Sequence, residues 1–101
     1  MEERPANQKA YVYMLTNYWG NVLYIGSTED LRIRLYQHKK GLIPGFTQKY
    51  NVKKLVYFED HPNLASAEIR EKQLKGKTRA KKNAIVEFLN PKWDDLSSRV
   101  G

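Results

Sequence analysis

The sequence predicts an α/β domain: a small, mainly antiparallel three-stranded sheet flanked by helices, in the order ββαβαα. Three observations carry that expectation. Aromatic and β-branched residues gather in two short runs, Tyr11–Leu15 and Val22–Ile25, around a turn containing Gly20, which is the pattern of a β-hairpin. Residues 52–59 alternate in the manner of a third strand. The remaining apolar residues recur at helical spacing and are punctuated by Gly and Pro. With 101 residues, 41% of them hydrophobic and 29% charged, the chain has material for one core and no more, and its composition is far from that of disordered chains.

Residues 1–8 are polar with one Pro and read as a flexible arm, leaving a domain over 9–96 and a short tail over 97–101. The hairpin comes first. After it, Gly26-Ser27-Thr28 offers a break and a hydroxyl N-cap, with Glu29 and Asp30 in the first turn, where the helix dipole favours acids. The helix that follows runs to about Lys40, and Gly41 stops it. Residues 41–51 contain two Gly and a Pro without a clean period, and read as a surface loop. In the third strand, Val52, Lys54, Val56 and Phe58 should share one face and Lys53, Leu55, Tyr57 and Glu59 the other. His61-Pro62-Asn63 turns the chain into a helix over Leu64–Lys75, ended by Gly76. A last helix, about Arg79 to Leu89, stops before Pro91 because the residue preceding proline avoids helical geometry.

Composition excludes several functions. Without Cys there is no disulfide, no thiolate nucleophile and no cysteine zinc site. The longest apolar run, Ala10 to Leu15, is far below the roughly 20 residues of a membrane-spanning helix. The N-terminus lacks the basic and apolar regions of a signal peptide, so a soluble protein of the cytoplasm is expected. A net charge of +7 and a pI near 9.7 ask for an anionic partner, nucleic acid first.

Three positions break the expected patterns. Arg34 and His38 stand one turn apart at the edge of a helical stripe defined by Leu31 and Leu35. Glu71 falls inside a stripe formed by Leu64, Ala67 and Leu74, at i, i+3, i+7 and i+10. A carboxylate there must be paired, hydrogen-bonded, metal-bound or at a cleft, since stranding it would cost several kcal/mol; a salt bridge to Arg34 is the simplest partner. Around it stand Arg70, Lys72, Lys75, Lys77, Arg79, Lys81 and Lys82, a concentration of cations suited to phosphate contacts.

These residues, taken in order, resemble the GIY-YIG nuclease superfamily. Tyr11-Val12-Tyr13 and Tyr24-Ile25-Gly26 resemble its paired motifs, and Leu31 through His38 resembles its arginine helix: Arg34 lies ten residues after Tyr24, His38 four further on, and Arg70-Glu71 matches the Arg-Glu pair of the next helix. The match spans roughly Lys9 to Leu96 and is similar to small stand-alone members and to the nuclease domain of bacterial nucleotide excision repair. Ser27 stands where the repair nucleases carry a Lys, which removes one candidate for binding phosphate. Asn90 is similar to a C-terminal Asn of some relatives and is equally placed to cap the last helix.

The resemblance implies a metal-dependent endonuclease acting on DNA, with RNA not excluded, in repair or recombination. Glu71 would hold a divalent ion, Mg²⁺ or Mn²⁺, and Arg34 would bind the scissile phosphate with its planar donor fork. Tyr13 or Tyr24 would orient or deprotonate water, with His38 sharing that role or contacting the phosphate. An ordinary tyrosine, with pKa about 10, is a poor base at neutral pH, so basic surroundings are expected to lower it. The alternatives are a non-catalytic nucleic-acid-binding module on the same fold and, further off, a domain that binds an acidic protein partner.

Overall fold

The computed structural model describes residues 9–100; the arm expected over 1–8 lies outside the described residues, as does Gly101. Strand β1 (Ala10–Thr16) is central, with β2 (Leu23–Thr28) and β3 (Lys54–His61) antiparallel on either side, so the sheet order is β2-β1-β3. Helices α1 (Leu31–Lys39), α3 (Leu64–Lys75) and α4 (Arg79–Leu89) complete the predicted ββαβαα order. One addition interrupts the loop expected over 41–51: a single helical turn, α2 (Phe46–Lys49).

Because β1 is central and paired on both edges, its side chains are buried on both sides. Ala10, Val12 and Met14 join Ile25, Val56, Ala67, Leu74 and Val86 in an aliphatic cluster under α3 and α4. Tyr13 and Leu15 join Leu31, Leu35, Val52 and Leu55 under α1. Each fully buried aliphatic side chain contributes roughly 1.5–3 kcal/mol.

Two local expectations are corrected. Gly26, Ser27 and Thr28 do not break the chain; they continue β2, and Asp30 is the N-cap of α1, its carboxylate accepting from the Ile33 amide at 3.1 Å. The Thr28 hydroxyl accepts instead from the Asp30 amide, bending the chain into that cap. In β3 the alternation fails: the register against β1 jumps from Met14↔Tyr57 to Leu15↔Leu55, leaving Val56 as a bulge. Leu55 and Phe58 consequently face α1, while Val56 and Tyr57 face α3 and α4. Buried Asn90, the C-cap of α4, pins this bulge by donating to the Val56 carbonyl (3.0 Å) and the Asp94 carbonyl (2.9 Å). The segment beyond 96 forms a 3₁₀ turn (Ser97–Arg99), with Val100 packed against the α1-side cluster.

Candidate active site

Tyr13 and Tyr24 sit on neighbouring strands with both rings toward α1, their centroids 6.2 Å apart. The close approach depends on Gly26, which pairs with Tyr13 in the sheet. A Cβ on Gly26 would lie 2.6 Å from Tyr13 Oη and 3.0 Å from the Tyr24 ring. From α1, buried His38 brings Nε2 to 3.2 Å from Tyr13 Oη and its ring to 5.5 Å from that of Tyr24. Its Nδ1 has no hydrogen-bond partner among the described residues. The Tyr13 hydroxyl also meets Arg34 and Tyr24.

Electrostatics overturns one expectation. Burial pushes the Tyr13 hydroxyl well above the ordinary tyrosine range; Tyr24 adds to the rise, and Arg34 pulls the other way without offsetting it. Tyr13 is therefore not activated by its basic neighbour, because its ring is fully inside the core and desolvation penalises phenolate. His38 is pushed down to about 4, by burial first and by the Arg34 charge second. Near neutral pH both groups are uncharged. Tyr24 and Arg34, by contrast, are half-buried and keep a path to solvent.

Glu71 stands across β2 from this cluster. One carboxylate oxygen accepts the Ser27 hydroxyl at 2.5 Å and the other pairs with the Lys75 ammonium at 2.5 Å, one turn along α3. Among the described residues its ion pair is thus with Lys75 and not with Arg34, as the sequence had suggested. Ser27 is the site residue that sequence reasoning undervalued: as the neighbour of Gly26 in an alternating strand it points to the α3 side. Gly26 and Ser27 place the tyrosine cluster and Glu71 on opposite sides of one edge strand. At the end of β2 the two sides converge on a surface hollow lined by Ser27, Arg34 and Gln37 together with Leu64 and Glu68 of α3.

Among the described residues no three His, Asp or Glu side chains converge on a point, so a divalent cation would be held by Glu71 with water completing its shell. Mg²⁺ accepts that arrangement, since it keeps several waters on one or two carboxylates. The half-exposed Lys75 ammonium is the group such an ion would replace.

The basic residues divide. Arg70 is engaged by Glu59 at 3.1 Å, and Arg79 donates to the carbonyls of Gly20 and Asn21. Lys75 and Lys82 line a hollow along β2 beside Leu23, Tyr24 and Ile25, while Lys72 and Lys81 are exposed. Lys77 lies in the turn between α3 and α4, half-buried. The Glu59 that holds Arg70 also accepts from Tyr57 (2.5 Å) and meets His61 Nε2 (2.6 Å). Burial would raise its carboxyl, but these three partners outweigh it and hold it below the usual range.

The strand–helix arrangement and the ordered Tyr, Tyr, Arg, His and Glu define a class. Residues 9–83 match the GIY-YIG catalytic domain, and the chain belongs to the GIY-YIG family, a nuclease superfamily. Its relatives include UPF0213 proteins: one of Streptococcus sanguinis is 37% identical over 79 residues, covering 78% of this chain and 90% of the relative. Another, of Clostridium perfringens, is 31% identical over 90 residues, covering 89% and 96%. The solution structure of a UPF0213 protein from Bacillus halodurans is similar with a TM-score of 0.55 at 26% identity, over 86% of this chain and 92% of that one. No helix among the described residues is long and apolar enough to cross a membrane.

Proposed function

We propose that this protein is a divalent-metal-dependent endonuclease that hydrolyses DNA phosphodiester bonds in the cytoplasm, directed by branched or damaged structure in repair or recombination. The observation that carries this reading is the pairing, across edge strand β2, of a solvent-reaching Tyr24 and Arg34 on one side with Glu71 on the other. Arg34 binds the scissile phosphate, its planar fork matching two phosphate oxygens. Tyr24, the half-buried tyrosine, orients the attacking water. Tyr13 and His38, both buried, act through their neighbours as positioning residues: the Tyr13 hydroxyl lies 3.2 Å from His38 Nε2 and interacts electrostatically with Arg34 and Tyr24. A cation on Glu71 would supply Lewis-acid stabilisation of the developing charge. Lys72, Lys77, Lys81 and Lys82, with Arg70, Lys75 and Arg79 in the same stretch, supply the field that draws in the backbone.

One observation favours a second reading, a non-catalytic nucleic-acid-binding module: both Glu71 oxygens are already engaged, one of them by a cation of the protein itself. Incubating supercoiled plasmid and branched DNA with Mg²⁺ separates the two. The endonuclease reading predicts cleavage by the unmutated chain and strongly slowed cleavage by Glu71→Gln or Arg34→Ala. Salt-sensitive binding without any cleavage overturns it in favour of the binding module.

A further inference from the structure

At the end of the hairpin away from Gly26, the turn Asn17–Asn21 carries Tyr18 and Trp19, 80% and 81% exposed. Their rings meet edge to face, centroids 5.1 Å apart at 89°. Large aromatic side chains gain stability by leaving water, and here neither does. The backbone beneath them is braced, so their exposure is not that of a loose loop. The Asn17 side chain accepts from the amides of Asn21 (3.1 Å) and Val22 (3.3 Å), and Thr16 donates to the Val22 carbonyl (2.7 Å). From α4 the Arg79 guanidinium grips the carbonyls of Gly20 (3.0 Å) and Asn21 (3.2 Å). The turn needs none of the aromatic surface it displays.

The flanks of this tip are electropositive. Tyr18 opens onto a hollow shared with Lys39, Lys53 and Lys54, whose single acid, Asp95, is already paired with Lys39 at 3.3 Å. On the other flank lie Arg79 and the Lys75–Lys82 hollow beside β2. Solvent-facing rings on a braced turn, set between cationic surfaces, match single-stranded nucleic acid, whose bases stack on aromatic faces while the backbone takes the positive charge. An apolar protein partner would meet the same rings but not use the flanking lysines.

We propose that the β1–β2 turn is a stacking platform for an unpaired nucleobase, Trp19 and Tyr18 being the contacting residues. It deepens the nuclease reading, on which its role in cleavage rests, by naming the substrate class: nucleic acid with a single-stranded segment next to the cut. Three residue steps along the extended chain, roughly 10 Å at about 3.3 Å each, lead from Asn21 at the end of the turn to Tyr24 in β2. That distance is about three base steps of 3.4 Å, so a base stacked on the turn lies a few nucleotides from the cleaved phosphate.

The test is binding in the absence of divalent metal, by fluorescence anisotropy of labelled oligo(dT), oligo(U) and a blunt duplex of equal length. Trp19→Ala should weaken binding to the single strands about tenfold, within the span set by stacking energies of roughly 1–3 kcal/mol per base, and leave the duplex within about twofold. Trp19→Phe should restore most of the loss, and in a Trp93→Phe background oligo(dT) should quench Trp19 fluorescence. A loss on oligo(dT) alone would restrict the platform to DNA, and one on oligo(U) alone to RNA; either supports it. Equal losses on single strand and duplex, no loss at all, or no binding of single strands by the unmutated chain overturns it, the last leaving the tip to a protein partner. A chain that holds oligo(dT) through Trp19 yet never cuts sinks the nuclease reading alone. One that cuts plasmid while Trp19→Ala binds oligo(dT) as well as before sinks only the platform.

Discussion

The two faces of the sheet are closed by different means. Under α3 and α4 the fill is aliphatic, from Val12 and Met14 to Leu74 and Val86. Under α1 the same strands bury Tyr13, and α1 adds His38, so hydroxyl and imidazole satisfy each other inside the core. The aliphatic face asks volume and shape of the side chains in its cluster, with buried Asn90 bonded to the Val56 carbonyl beside them. The other asks each polar group to find a partner, and one nitrogen, His38 Nδ1, finds none among the described residues. Both faces bury an apolar core, but the candidate chemistry is gathered on the α1 face, and β2, at the sheet's edge, is where Glu71 reaches across from the α3 side.

The comparison breaks most sharply at Glu71. Glu71→Gln keeps the Ser27 contact and should lower the rate of DNA cleavage about a thousandfold, the cost of losing a group that stabilises developing charge, with binding retained in a filter assay. On the aliphatic face Leu74→Ala should cost about 2–5 kcal/mol in urea denaturation, while the folded fraction cleaves at an unchanged rate. Gly26→Ala acts on the α1 face: its Cβ would press on a Tyr13 ring with nowhere to go, for about 1–3 kcal/mol of overpacking together with lost cleavage.

A subtler difference separates the faces in pH. With a folded pKa of about 4 against an ordinary 6.5, His38 binds more protons unfolded than folded between those values. Stability should therefore fall as pH drops from about 6.5 to about 4, and His38→Phe should remove that part of the slope in thermal melts. The smallest effect is expected at the α1 cap, where Asp30→Ala should cost about 1 kcal/mol, read from the denaturation midpoint.

Where structure depends on local signals it was legible. The hairpin, α3 and α4 follow from strand propensity, Gly76 and Pro91, and the observed helix bounds Leu64–Lys75 and Arg79–Leu89 agree with the reading. The bulge at Val56 was not legible, because it is set by pairing with β1 and by Asn90, thirty-four residues away. The misread alternation in β3 follows from it. Glu71 announced itself on the helical wheel, but its partners did not: reading Gly26-Ser27-Thr28 as a break hid the strand alternation that aims Ser27 at it. The rise in Tyr13's pKa was equally hidden, since it comes from burial in a fold that brings α1 down on the hairpin, and the sequence displays only the nearby arginine.

The most direct measurement is a double-mutant cycle on single-turnover cleavage of a forked DNA with Mg²⁺, using Arg34→Ala, Glu71→Gln and both together. If the two residues act from opposite sides of β2 on one phosphate, the double variant should be scarcely slower than the worse single variant, because groups that work as a unit are non-additive. Independent, multiplying losses, or cleavage by any of the three at the unmutated rate, would contradict the claim that they share one site.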